Sequence, residues 1–205
     1  MSQISNSSSL KGKDLITIGI FSSIYFVINF IFMLLGGLHP IMWILMPGFI
    51  ALFTGLPFML MCSKVPKMGA ILLMGVITGL IYFITGMFTV VILITFVIAC
   101  VLGEVARFIS GYYSVKGNIV AFIFFSLGMT GSPLPIWIMH EKFMAQISGQ
   151  GMPDSYIKSL ERLSSPVMLL ILFFAPIIGA VLGAWISKRL FHKHFEKAGM
   201  VTNAS

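Results

Sequence analysis

The sequence predicts an all-α integral membrane protein with six transmembrane helices and both termini in the cytoplasm. Three observations carry that prediction. Of the 205 residues, 58% are hydrophobic and only 9% are charged, whereas a soluble globular chain carries about 25% charged residues. The apolar residues gather in six blocks, most of them close to the length needed to cross a bilayer core. A single orientation places nearly all the basic residues on one side of the membrane.

Residues 1–13 are serine-rich and read as a disordered cytoplasmic tail. The first span is Leu15–Leu35, too long for a signal-peptide core and followed by no cleavage pattern. The second, Ile41–Met61, contains Pro47 and Pro57, so a kinked or broken helix is expected. The third, Met68–Thr85, ends near Gly86 and turns in a tight hairpin into the fourth, Phe88–Ala106. The fifth, Asn118–Met139, is interrupted by two glycines and two prolines within Gly128–Pro135. Irregular backbone at that depth is tolerated where it lines a cavity or is buried in protein. An outer loop follows over 140–165, where Tyr156, Leu160 and Leu163 give one apolar stripe at helical spacing. It reads equally as a segment resting on headgroups and as a lid. The sixth span is Pro166–Ser187, and 191–205 form a second cytoplasmic tail. Residues 14–190 thus make one membrane domain.

The charge sorts by side. Lys11, Lys13, Lys64, Lys67, Arg107, Lys116, Lys188, Arg189, Lys193 and Lys197 fall inside, and only Lys142, Lys158 and Arg162 fall outside. With Asp14, Glu104 and Glu196 inside and the other three acids outside, the whole net charge of +7 lies on the inner face. The excess is therefore a topology signal, and nucleic acid is not an expected partner. Membrane lipid is.

Catalytic patterns are sparse. Cys62 and Cys100 lie in apolar runs without CxxC or Cys/His spacing, so no disulfide or metal site is expected. His140-Glu141 begins like a zinc-protease motif, but Met144 stands where the second histidine would be. No phosphate-binding loop or nucleophile elbow occurs, and no cofactor is expected. An enzyme is the weakest class.

Small residues four apart occur in three spans: Gly19 and Ser23 with Ser22 beside them, Gly75 and Gly79, and Gly179 and Gly183. Such spacing lets helix backbones approach closely. For the third span this suits packing within the bundle. For the first and sixth it suits an intermolecular contact equally well.

Polar groups at membrane depth need a reason. Glu104 and Arg107, at i and i+3, read as an interfacial ion pair that ends the fourth helix. Asn29, His39, Trp43, Tyr82, Thr85, Thr130, Ser132, Trp137, His140 and Glu141 come from several spans but share the outer level. Thr89 lies at the same level. Convergent polar and aromatic groups suit a small-molecule site. Tryptophan and tyrosine there also form ordinary interfacial belts, and threonine often bonds its own helix.

The layout resembles the substrate-binding S components of energy-coupling factor (ECF) transporters, and within them the Trep_Strep family, also called the MptD family. The stretch Asp14-Leu15-Ile-Thr-Ile-Gly19-Ile-Phe21-Ser22-Ser23-Ile-Tyr25 carries the resemblance, as do Gly103-Glu104-Val-Ala-Arg107 and Gly111-Tyr112-Tyr113. The resemblance implies a multi-pass subunit of the bacterial plasma membrane. It would capture a small organic micronutrient at the outer face and dock on a transmembrane T component powered by two cytoplasmic ATPases. S components commonly dock through an Ala-xxx-Ala pair in the first helix; here Gly19 and Ser23 occupy those positions. Gly179 and Gly183 are the second docking candidates. The other readings are a self-contained secondary transporter or channel and, more remotely, a membrane enzyme.

Overall fold

The computed structural model of the chain describes residues 9–86 and 89–194. The predicted tail segments 1–8 and 195–205, with Glu196 and Lys197, and the predicted start of the fourth span at Phe88 lie outside the described residues.

Among the described residues every regular element is helical: α1 (Gly12–Leu38), α2 (Pro40–Lys64), α3 (Ala70–Ile84), α4 (Val90–Ser110), α5 (Val115–Ser126), a 3-10 turn (Leu127–Gly131), α6 (Pro135–Ile138), α7 (His140–Gly149), α8 (Asp154–Leu163) and α9 (Pro166–His194). Local capping explains several starts. Asp14 accepts the Lys11 amide at 2.8 Å, and His39 Nδ1 accepts the Ile41 amide at 3.2 Å ahead of Pro40 in the first turn. Thr89 and Ser114 cap α4 and α5 in the same way, through the amides of Ile92 and Gly117.

Four helices, α1, α2, α4 and α9, are long and apolar enough to cross a bilayer. The third and fifth predicted spans are shorter apolar helices, Ala70–Ile84 and Val115–Gly131. At 15 residues, α3 rises only ~22 Å, less than the ~30 Å hydrocarbon core. Of the kinked or broken helix expected for the second span, the break is not found: one helix runs through both Pro47 and Pro57, which are buried. Such packing is what lets membrane helices tolerate proline.

The centre of the bundle is α2. Two-thirds of its apolar window is buried (67%), against 22% for α1. Its closest neighbour is α9, and glycines make that contact possible. A Cβ at Gly179 would run into the Gly48 carbonyl, and one at Gly183 into the carbonyls of Ala51 and Leu52. A Cβ at Gly55 would strike the Gly183 backbone. Gly179 and Gly183 are thus occupied inside the chain, so the expectation that they meet another protein is corrected. Gly75 packs on Cys100, as the sequence suggested, but Gly79 has nothing within 4 Å of where its Cβ would be.

Two apolar clusters result. The main one joins Tyr25, Phe58, Phe122, Phe125, Met74 and neighbours across α1–α5. A smaller one, around Ile44, Ile136, Met144, Ile147, Leu160 and Leu172, holds α7 and α8 against α2, α6 and α9.

The interfacial ion pair is also corrected. Glu104 and Arg107 are both buried, and the ion pair recorded among the described residues is instead Lys67–Asp14, at 2.7 Å. Glu104 accepts the amides of Gly69 (2.9 Å) and Ile71 (3.0 Å) at the start of α3. Arg107 donates to Asn118 Oδ1 (2.9 Å) and to the carbonyls of Cys62 (3.2 Å) and Val65 (3.1 Å). The two side chains clamp the α2–α3 connection rather than each other, and α4 continues past them to Ser110.

Candidate functional site

The residues between α5 and α9 build a cap. After α5 the chain tightens into the 3-10 turn and then into α6. Gly128 and Gly131 allow this: a Cβ at either would collide with α4, on Phe96 and on Thr95 respectively. Thr95 Oγ1 donates to the Gly128 carbonyl at 2.8 Å, which satisfies an acceptor freed by the break. The irregularity expected at Gly128–Pro135 is therefore present and is buried against α4.

Beyond it, α7 and α8 fold over the same end of the bundle. Tyr156 and Leu160 turn inward, following the stripe expected from the sequence. Three neutral hydrogen bonds form at this end, one from α8 to α1, one from α6 to the α8–α9 connection and one from α2 to the segment before α6. Tyr156 donates to the Gly36 carbonyl near the end of α1 at 2.9 Å. Trp137 Nε1 donates to the Ser165 carbonyl at 3.1 Å. Trp43 Nε1 donates to Ser132 Oγ at 3.1 Å, and its ring stacks on Phe143 at 5.4 Å. Burial pushes the Tyr156 phenol up to about 12, so it stays a proton donor at neutral pH.

The ten residues predicted for a ligand site divide into three groups. Trp43, Ser132 and Trp137 come together beneath the cap. Asn29, Tyr82 and Thr130 are buried in the bundle interior. Thr130 bonds the Leu127 carbonyl (2.7 Å), and Asn29 Nδ2 bonds the Tyr25 carbonyl (2.7 Å). His39, Thr85, His140 and Glu141 are exposed. Of these, His39 and Thr85 serve their own helices, and His140 Nδ1 lies 3.0 Å from the Ile136 carbonyl. The structure does not draw that last group into a common pocket.

Other polar residues emerge only in three dimensions. Tyr25 Oη, Asn29 Oδ1 and Thr78 Oγ1 are buried without a hydrogen-bond partner. Tyr25 and Asn29 share one face of α1, and Thr78 and Tyr82 share one face of α3, each pair at i and i+4. That spacing was readable; what α1 and α3 face was not. Phe143, which closes over Trp43, was likewise missed, because it sits in a segment whose fold depends on tertiary contacts.

A family model described as a hypothetical bacterial integral membrane protein, Trep_Strep, matches residues 12–197. The chain belongs to the Trep_Strep family. No match was found among curated proteins or among solved structures. The match runs from the first turn of α1 past the end of α9, so bundle and cap both fall within the Trep_Strep region. This Trep_Strep protein is a multi-pass bacterial membrane protein, as its apolar helices require. Among its described residues no group of three or more His, Cys, Asp or Glu side chains is placed to hold a metal ion.

Proposed function

We propose that this Trep_Strep protein is the substrate-capture subunit of an ECF-type ABC importer. In this reading a small organic micronutrient binds beneath the α7–α8 cap, on the outer face. Trp43, Phe143 and Trp137 supply aromatic surface, and Ser132 supplies a hydroxyl. No charged side chain joins that set, which suits an uncharged or weakly polar ligand better than a bare ion. The cap would open to admit it.

The observation that carries the reading is the different use of two small-residue pairs. Gly179 and Gly183 are filled by the protein's own α2. Gly19 has nothing within 4 Å of its Cβ position, and Ser23 is exposed. Ser22 is turned inward and bonds the Ile18 carbonyl at 2.8 Å, so it belongs to the bundle. The outward face of α1, with Gly19, Ser23, Ile16, Ile20 and Val27, is left for another helix. A T component powered by two ATPases is the proposed partner.

The test is purification from native membranes, followed by uptake assays with bulky residues at the free pair. Gly19→Leu with Ser23→Leu should abolish uptake and copurification of the T subunit and ATPases. Any small molecule retained in native mass spectrometry should remain bound. Normal uptake by that variant would overturn the docking assignment. Uptake by this protein alone in vesicles would replace it with a self-contained transporter.

A further inference from the structure

The apolar span of α9 runs Pro166–Leu190, so Lys188 and Arg189 fall in its last turn, at the lysine-rich end of the bundle. One face of α9 is occupied. Gly179 and Gly183 meet α2, and Ala180, Ala184 and Ser187 are buried. The opposite face is open. Ile178, Leu182, Trp185 and Arg189 lie at i, i+4, i+7 and i+11, which places them in one stripe, and all four are exposed. From Ile178 to Arg189 the helix rises ~16 Å, close to half of the ~30 Å hydrocarbon core. The stripe therefore follows one leaflet outward from its midplane. It is aliphatic first, then aromatic at the interface, then basic at the headgroups.

The basic end of the stripe is pre-ordered. The Arg189 guanidinium carbon lies 3.8 Å from the centre of a Trp185 ring. A cation held over an indole keeps its charge and its outward N–H donors but has lost freedom, so less ordering remains when an anion binds. Lys188 is exposed beside it. Lys64 closes α2 at the same end, because the two helices run in parallel, Gly48 against Gly179 and Leu52 against Gly183. Neither α2 nor α9 carries an aspartate or a glutamate. Among the described residues, none of these three cations has a carboxylate within ion-pair distance. A phosphodiester supplies the missing charge, and its oxygens match the paired N–H groups of a guanidinium. A zwitterionic headgroup would bring an ammonium towards Lys188 and Lys64; a net anionic one would not.

We propose that the open face of α9 holds one anionic phospholipid at the lysine-rich end. Its phosphate sits on Arg189 and Lys188, and one acyl chain lies along Trp185, Leu182 and Ile178. A free phosphate ion would meet the same guanidinium but leave the apolar part of the stripe unused, so a lipid is the occupant that fits the whole face. The site lies at the other end of α9 from the cap and does not depend on the importer reading.

The experiment places the full chain in nanodiscs of phosphatidylglycerol and phosphatidylcholine, in equal amounts and with the same acyl chains. Lipids retained on the released protein are counted by native mass spectrometry. Phosphatidylglycerol should be retained in preference. Trp185→Leu leaves the net charge unchanged and should lower that retention about two- to fivefold, the ratio for an exposed cation–π contact. Arg189→Gln should lower it about fivefold, as for one basic group at a membrane surface. Lys13→Gln removes the same charge from an exposed position on α1 and should leave retention within about twofold, since exposed charges act only over short distances in salt. All three side chains are exposed, so the thermal midpoints should stay unchanged and separate lost binding from lost fold. Equal retention of the two lipids would overturn the site. So would an equal loss in Lys13→Gln and Arg189→Gln, which would mean general attraction to a basic surface. Displacement of the lipid by excess inorganic phosphate would show that the phosphate group alone suffices and would overturn the lipid assignment.

Discussion

The two ends of the bundle hold their connections together by different chemistry. At the end rich in lysine, charged groups grip backbone. Glu104 reaches the Gly69 amide across 35 residues of chain, and Arg107 reaches the Val65 carbonyl across 42. Lys67 closes on Asp14 and also donates to the Ser9 carbonyl. At the capped end, α7 and α8 rest on a small apolar cluster and on one neutral hydrogen bond, from Tyr156 to the Gly36 carbonyl. Charge-assisted bonds in a dry interior are about twice as strong as neutral ones. The difference lies in what separation would cost: parting the connections at the charged end breaks charge-assisted bonds, and lifting the cap breaks one neutral bond and a small apolar contact.

The sharpest way to break this contrast is Arg107→Leu. It orphans Asn118 Oδ1 and two buried carbonyls, each at about 1–3 kcal/mol. The variant should show the largest fall in thermal midpoint in detergent, with little folded protein recovered. A change as small as that of a surface lysine would refute the clamp. Glu104→Gln keeps one acceptor oxygen and loses a charge-assisted bond, so about 1.5–3 kcal/mol is expected, read in the same melt.

Next comes Gly75→Ala. Its Cβ would sit 2.5 Å from Cys100 Sγ, and overpacking of this kind costs about 1–3 kcal/mol. Gly79→Leu should leave the midpoint unchanged. Equal effects at the two glycines would contradict the close packing at Gly75 and the open space at Gly79.

The smallest global effect belongs to Tyr156→Phe, with about 0.5–1.5 kcal/mol lost from one neutral bond. Its signature is local: faster amide exchange in 140–165 with the midpoint nearly unmoved. Because the phenol titrates only near 12, the bond it donates to Gly36 is present below that value and is lost as pH rises through it. Cap exchange, corrected for the intrinsic rate, should be flat between about pH 6 and 9. A step within that window would mean that another group holds the cap.

How much of this was legible in the sequence follows from what each feature depends on. The apolar blocks, the break at Gly128–Pro135 and the inward stripe of α8 depend on local composition and periodicity, and they appear where expected. Glu104 and Arg107 show the limit. At i and i+3 they look like partners, yet each is satisfied by backbone more than 30 residues away. Nothing in local spacing encodes that choice. Gly75 and Gly79 are alike in sequence and opposite in surroundings, because α4 crosses only one of them closely. The predicted ligand residues had the same weakness. Shared depth was readable, but the rotation of each helix was not, and rotation put His39, His140 and Glu141 outside while it turned Tyr25 and Thr78 in.

The glycine contact between α2 and α9 has a mechanical consequence. Where two helices meet backbone to backbone, no layer of side chains lies between them to shear. Sliding one along the other by a single residue would drive a Cβ into a carbonyl at Gly48, Gly55, Gly179 or Gly183. The two helices therefore form a keel that moves as one piece. Any rearrangement that opens the cap must be carried by the elements hung from that keel, with α7 and α8 the lightest of them.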